Sequence, residues 1–452
     1  DLHGNVNKGE KCPDGSMDFN IFNIKEVGVC IALFVKTGLK NNKNKGIYFN
    51  EVFGTQDYKK NYLIEKSITD EKWVELEDDK KWHWFTKVKS NEKYLNEFIG
   101  LNKIFDNINS GVKTDRDSLF IDKDKNELTK RMKILFSKNL NDDFINKYNV
   151  KNSSGYKLVE KIKNENFEEN NIIKMHYRPF DFQFIYYKIG ITSRPAYTTV
   201  KNFLNNNKNI GLVFPRQIAG AYGFQHGLVS EFIIDVATGG AKTGSETYFA
   251  PLYLYEENSK GEFKWRLPAS GVEKSYKPNW TDSFKEFLKN YISDNPKEIL
   301  NYIYAILYSP TYRENYKEDL KYDYPRIPFT KDKNIFDRLQ ILGGDLIDLH
   351  LLKKVPQSNA GYPNKGEHKI SYSKYNEVEK RLYINEKQYF ENVKKEVYNY
   401  SIGGYKPIEK YIKAREILTL KDISHLIKVI AVIERTIYLQ EEIDKVWREA
   451  DF

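Results

Sequence analysis

Arg178, Arg194 and Arg216 each stand in a turn between short apolar runs, in the phrases Arg178-Pro179, Thr192-Ser193-Arg194-Pro195 and Arg216-Gln217-Ile218-Ala219-Gly220. A guanidinium held at a strand end can bridge the O6 and N7 acceptors of guanine. The amides of Gln217 and nearby Gln225 suit adenine, and each good pair is worth about 1–3 kcal/mol of discrimination. The competing arrangement is internal. Arg178 or Arg216 would then pair with a carboxylate such as Asp181 or Asp235 and only fix the fold.

Two further phrases, Gly111-Val112-Lys113-Thr114 and Gly240-Ala241-Lys242-Thr243, suggest phosphate chemistry. A nucleotide-binding P-loop requires Gly directly before Lys and another Gly about five residues earlier, so that successive amides ring the phosphates. Both phrases carry an extra residue between Gly and Lys, which argues against nucleotide hydrolysis. What remains is a pair of Gly-rich loops presenting Lys113, Thr114, Lys242 and Thr243, with Arg116 close by, to a DNA phosphate, or two ordinary surface turns. No catalytic residue is assigned. Glu77-Asp78-Asp79 and Glu168-Glu169 read as solvated charge runs, and no spacing supports a Ser/His/Asp set or a nuclease carboxylate pattern. Two Cys and seven scattered His, without CxxC or HExxH spacing, argue against a disulfide framework and against a metal site.

The elements that must position these residues fall into blocks. At 452 residues the chain has room for two or three domains. With 72 Lys or Arg against 63 Asp or Glu its net charge is +9, which favours a polyanionic partner through counterion release. A Lys- and Asn-rich chain is also mildly basic without binding anything. The apolar runs stop short of the roughly 20 residues that cross a bilayer, so no membrane partner and a cytoplasmic setting are expected.

Residues 1–55 read as strand-rich, with a buried strand over residues 27–35 and another over residues 46–54. A helix is expected over 56–68, and a strand pair over 73–85 that includes Trp82-His83-Trp84-Phe85. Residues 126–139 and 142–148 look helical and polar, as a connector would. Strands are expected over 172–177, 182–187, 210–214, 229–236 and 248–255, forming a barrel-like or twisted sheet module. From Thr281 the period becomes helical. Gly343-Gly344 is expected to bend or interrupt a helix over 334–352, a strand returns over 378–384, and one or two long helices close the chain. Tyr324-Pro325-Arg326-Ile327-Pro328 reads as a stiff extended segment, and Gly403-Gly404 as a tight turn.

Several phrases together carry a family resemblance. They are Asp1-Leu2-His3-Gly4-Asn5, Tyr177-Arg178-Pro179-Phe180-Asp181, Tyr308-Ser309-Pro310-Thr311-Tyr312-Arg313, Asp323-Tyr324-Pro325-Arg326-Ile327-Pro328 and Ile402-Gly403-Gly404-Tyr405-Lys406-Pro407. They are similar to the C-terminal half of Type ISP restriction–modification enzymes and their Type IIG-like relatives. The opening loop, the Ile21-Phe22 step and the apolar run after it resemble the last strands of DNA adenine methyltransferase domains. That family's catalytic Asn/Asp/Ser-Pro-Pro-Tyr/Phe motif lies upstream of such a segment, and this chain has no Pro-Pro dipeptide. The expectation is a chain that begins within a longer enzyme.

The resemblance implies a mixed α/β and α+β fold, in which terminal strands of a methyltransferase-type sheet precede a β-rich target recognition domain with a helical C-terminal part. Residues 1–110 would complete the methyltransferase domain, 111–170 would be a helical connector, and 171–452 would be the recognition domain, β-rich over 171–280 and mainly helical over 281–452. Its partners would be double-stranded DNA and the upstream methyltransferase and nuclease modules, in a phage-defence system. S-adenosylmethionine would serve the complete enzyme, with no cofactor held by this chain alone. Phe22 matches the family's aromatic position that stacks on a flipped adenine, although it would also suit a β-core. Arg313 and Lys406, within the shared phrases, complete the set of expected DNA contacts. Two other functions fit less closely: a stand-alone specificity subunit that recruits a separate enzyme, and an enzyme acting on sugars or nucleotides.

Overall fold

The computed structural model describes all residues except 6–9, 25–26, 37–45, 77–90, 138, 205–206, 219–222, 241–244, 256–275 and 451. Two compact units emerge: Asp1–Asn96 with Ile218–Gly223, and Glu97–Gln217 with Phe224–Phe452.

In the first unit a helix, Gln56–Glu65, starts where the Thr55 side chain accepts from the Tyr58 amide. Lys59 turns inward from this helix and is fully buried. Its ammonium donates to Asp18 Oδ2 at 2.9 Å and to the Leu2 and Phe19 carbonyls at 2.6 Å, while Asp18 Oδ1 accepts from the Gly54 amide at 2.7 Å. A buried ammonium is stable only when its charge and its donors are answered. This one ties three stretches of the unit together.

Strand Ile47–Phe49 pairs antiparallel with Val74–Leu76. The rest of the expected strand pair at 77–85, including Trp82-His83-Trp84-Phe85, lies outside the described residues. Residues 27–35 depart from expectation. They form no strand, and Val27, Ile31, Leu33, Phe34 and Val35 are all exposed. Their ladder amounts to one two-way contact, Leu2 N–H to Val29 O and Val29 N–H to His3 O, which is too little to register a strand.

The second unit is built on two four-stranded sheets. In one, the hairpin Ile172–Arg178/Asp181–Tyr186 is flanked by Ile233–Ile234, running parallel, and by Ile121–Asp122. In the other the order is Asn109–Ser110, Thr247–Pro251, Gly211–Pro215, Leu228–Ser230. The described strands therefore form open sheets and not a barrel. Side-chain hydrogen bonds explain the splitting of two expected strands. Ser230 Oγ donates to the Phe232 carbonyl and breaks the 229–236 run. Asn209 Oδ1 takes the Tyr253 amide and separates Thr247–Pro251 from Tyr253–Tyr255.

Helices Lys125–Leu135 and Asp142–Tyr148 are not solvated all round. Leu128, Met132, Leu135 and Phe144 share one core with Ile172 and Tyr186 of the hairpin.

The C-terminal part is helical. Pro296–Tyr308 is buried from Ile299 onward and packs on Lys333–His350, which runs unbroken through Gly343-Gly344. These glycines do not interrupt the helix. A Cβ on Gly343 would lie 1.9 Å from the Asn301 carbonyl, so the missing side chain lets two helices approach.

The 30-residue helix Leu420–Glu449 opens with a capping box between Thr419 and Asp422. Near its other end the buried Asp444 accepts Ser309 Oγ at 2.6 Å, Thr311 Oγ1 at 2.8 Å and the Thr311 amide at 3.1 Å, and so holds the start of Pro310–Asn315. The Tyr-Ser-Pro-Thr phrase is thus a helix start fixed by a distant carboxylate. The extended segment around Arg326–Ile327 pairs with Ile99–Gly100 and is pinned by Tyr302 and Tyr312 hydroxyls on the Pro328 and Arg326 carbonyls.

Candidate nucleic-acid interface

The loop after Asn109–Ser110 passes so close to the Asp235–Val236 backbone that a Cβ on Gly111 would sit 2.5 Å from the Asp235 carbonyl. Val112 then bridges Asp235 in parallel, and Lys113 bridges Arg194 antiparallel. Two turns 81 residues apart in sequence thereby present their cations side by side. Around them lies a cavity of about 440 Å³ lined by Lys113, Asp115, Arg116, Ser153, Gly155, Tyr156, Ser193 and Arg194. Three cations face one carboxylate, so the cavity is a positive concavity.

Each member is held differently. Arg194 is 60% exposed and meets Glu246 at 3.5 Å, a weak solvent-screened pair. Lys113 Nζ lies 3.0 Å from Asp115 Oδ1, and Ser193 Oγ donates to Asp115 Oδ2. Burial alone would raise the Asp115 carboxyl, but hydrogen bonds from Ser193 and Lys113 and the charges of Lys113 and Arg194 hold it below the usual range. Arg116 is spent on the framework. Its guanidinium donates to the Asn149, Asp115 and Lys151 carbonyls and so closes the end of Asp142–Tyr148. Its charge still lines the cavity. Thr114 is buried, and its hydroxyl donates to Asp117. The Tyr156 hydroxyl donates to the Ile191 carbonyl at 2.7 Å, and burial raises its pKa.

The remaining expected contacts lie elsewhere. Arg178 has taken the internal arrangement: its Nη1 donates to Asp235 Oδ1 at 2.6 Å, with side-chain exposures of 12% and 3%. Asp181 is taken by Arg415 at 3.1 Å, whose Nε also meets Asp422 at 3.0 Å, so the C-terminal helix grips the hairpin turn. Arg216 is half exposed, 3.5 Å from Asp323 and with its guanidinium 5.6 Å from the Tyr324 ring centre. Gln217 Nε2 donates to the Tyr322 carbonyl at 3.1 Å. These residues form a second polar group just past the end of Gly211–Pro215.

Arg313 donates to the Leu307 carbonyl at 2.6 Å and lies against the rings of Tyr308 and Phe224. Lys406 donates to Asn399 Oδ1 at 2.7 Å, beside a tight turn in which a Cβ on Gly403 would collide with the Gly239 carbonyl. Phe22, in the first unit, is 57% exposed and lies outside any strand. Lys242 and Thr243 lie outside the described residues.

Sequence reasoning paired neither Lys113 with Arg194 nor Asp115 with Ser193. The cue available was the Lys-Thr-Asp-Arg-Asp run itself. For Tyr156, in a Ser-Ser-Gly-Tyr stretch, there was none. Among the described residues no group of His, Cys, Asp and Glu is placed to hold a metal, and no helix is long and apolar enough to cross a membrane.

Comparison with known proteins adds three findings. A family model, the Type ISP C-terminal specificity domain, matches residues 103–442. Curated proteins give no match. Solved structures share the fold: a nuclease-deletion mutant of the Type ISP restriction-modification enzyme LlaGI in complex with a DNA substrate mimic (21% identity, TM-score 0.61, 89% of this chain and 33% of that one); the ATP-dependent Type ISP restriction-modification enzyme LlaBIII bound to DNA (20%, 0.69, 98% and 30%); and a DrdV–DNA complex (18%, 0.63, 90% and 43%). The chain thus spans about a third of the length of the first two.

Proposed function

The chain belongs to the Type ISP C-terminal specificity domain family, and on that premise we propose that it selects the duplex DNA sequence on which a restriction–modification enzyme acts. The observation that carries this reading is the bridge between Lys113 and Arg194 at the rim of a cationic cavity. A phosphodiester is a single compact anion, and charged donors converging on one concavity suit it. In this reading Lys113 and Arg194 take backbone phosphates, with Arg116 adding field from behind. Glu246 and Asp115 are the internal anions that a phosphate would replace or bypass.

Sequence is read by other groups. Arg216 and Gln217 carry the donors that suit guanine and adenine edges, and both stand where a strand ends, with Arg216 half exposed. Arg178 and Thr114 support the surface from within. Arg313 and Lys406, which do not line that cavity, are further phosphate contacts in this reading, as are Lys242 and Thr243.

The finer part of the reading concerns methyl transfer. The recognised duplex would be presented so that an adenine reaches an upstream catalytic module, with the exposed ring of Phe22 stacking on the extruded base. The apolar side chains bared over residues 27–35 form the kind of patch that a neighbouring module covers. That supports joining this segment to a methyltransferase sheet. S-adenosylmethionine would be held by that upstream module, and no residue of this chain is assigned to it.

The test is competition binding of a labelled duplex. Affinity should fall linearly in log–log form with salt, and a cognate duplex should resist competition by heparin better than an unrelated duplex does. Equal displacement of every duplex by heparin would contradict the reading.

A further inference from the structure

The small sheet formed by Lys374–Asn376, Arg381–Tyr383 and Tyr389–Phe390 has no part in the interface described above. Its register assigns its two faces. Leu382 pairs with Phe390, both fully buried, so that row points into the core. Tyr383 pairs with Lys374 on one side and with Tyr389 on the other, and this alternate row points outward together with Arg381. On the outer face the Tyr383 and Tyr389 ring centres are 5.0 Å apart, and the Arg381 guanidinium lies 4.4 Å from the centre of Tyr389. Lys380 and Lys387 stand in the two turns that join the strands.

The surrounding segment is basic. Residues 353–418 hold fourteen Lys or Arg against eight Asp or Glu, a surplus of six out of the chain's nine. Most of its acids are elsewhere or already matched. Glu377 is taken by Lys395 at 2.8 Å. Glu379 is the internal counterweight, 3.5 Å from Arg381 and accepting from the Tyr383 hydroxyl at 2.5 Å. Glu386 shares its turn with Lys387.

From this juxtaposition we infer that the outer face of the sheet is a second nucleic-acid contact, and that it takes an unpaired strand. Flat rings on a sheet, interleaved with a guanidinium and flanked by lysines, match a strand whose bases are unstacked: rings and guanidinium meet the π-faces while ammonium groups follow the phosphates. A duplex hides those faces and would use the lysines alone. The inference does not rest on the duplex-reading role, because it involves different residues and a different form of the ligand.

The experiment measures fluorescence anisotropy of a labelled oligothymidylate and, separately, of a labelled duplex with the full chain. The parent should bind both. Arg381→Ala combined with Tyr389→Ala should weaken the oligothymidylate at least roughly tenfold and leave the duplex unchanged, whereas Tyr389→Phe should keep both. Arg194→Ala should do the reverse of the double variant. A double variant that binds oligothymidylate as the parent does would overturn the inference. So would a parent that binds none, or duplex affinity that falls in parallel. Should the double variant lower the melting temperature, Arg381→Gln alone carries the same expectations. Failure of the duplex arm alone would count against the recognition role and not against this face.

Discussion

Lys113 and Arg194 exchange backbone hydrogen bonds in both directions: the Lys113 amide to the Arg194 carbonyl at 3.1 Å, and the Arg194 amide to the Lys113 carbonyl at 3.0 Å. Backbone bonds of this kind fix the spacing of two cations without consuming their side chains. If both touch phosphates, Arg194→Ala should weaken binding about equally on all sequences and reduce the salt slope by about one. A binding isotherm series over salt checks this, and a loss confined to one sequence would move Arg194 to base reading.

Arg216 should behave differently. Arg216→Ala is expected to lose discrimination at one or two positions of the recognised site, worth about 1–3 kcal/mol there, with little change on unrelated duplexes. Affinities for a panel of single-position site variants decide it. Uniform weakening would mark a phosphate contact.

Arg178 and Asp235 form a largely buried pair, so removing one partner strands the other. Arg178→Ala should cost about 3–5 kcal/mol of stability, seen as a lower urea midpoint. Arg178→Met with Asp235→Leu should recover part of that loss. Unchanged stability with reduced DNA binding would place Arg178 at the DNA after all.

Stability should also depend on pH through three interior histidines. Burial lowers His176, His226 and His350 to about 3, against an ordinary 6.5. For His350 the neutral tautomer is set by its neighbours. The Thr436 hydroxyl donates to the Val432 carbonyl and so accepts from Nε2, leaving Nδ1 to accept from the Tyr304 hydroxyl at 2.6 Å. Above pH 6.5 these groups are neutral in both states and their full contribution is present. As pH falls from about 6.5 towards 3, only the unfolded chain takes up the protons. Stability then declines by up to about 1.4 kcal/mol per pH unit for each histidine. Urea midpoints at pH 7.5 and pH 5 measure this, and His350→Gln should flatten the slope.

Much of the element map was legible because periodicity reports local environment. The hairpin at 172–186, the helices at 296–308 and 333–350 and the final helix announce themselves by spacing. What escaped depends on distant partners. Gly343 looked like a breaker because nothing local reveals that Asn301 crosses it. Residues 27–35 looked like a strand because composition cannot say whether a neighbour is present to pair with. The turns that carry Lys113 and Arg194 were visible as cation-bearing loops, yet their adjacency follows from Val112 running beside Asp235, a contact with no local signature. The internal use of Arg178 was one of two arrangements its sequence context allowed, and burial of Asp235 decided it.

The central claim is that this chain reads duplex sequence. It is tested most directly by selection from a randomised duplex library with the purified chain, followed by sequencing of the bound fraction. A single enriched motif is predicted, relaxed at one or two positions by Arg216→Ala and retained, at lower yield, by Arg194→Ala. A bound fraction with the same base composition as the input library would contradict the claim.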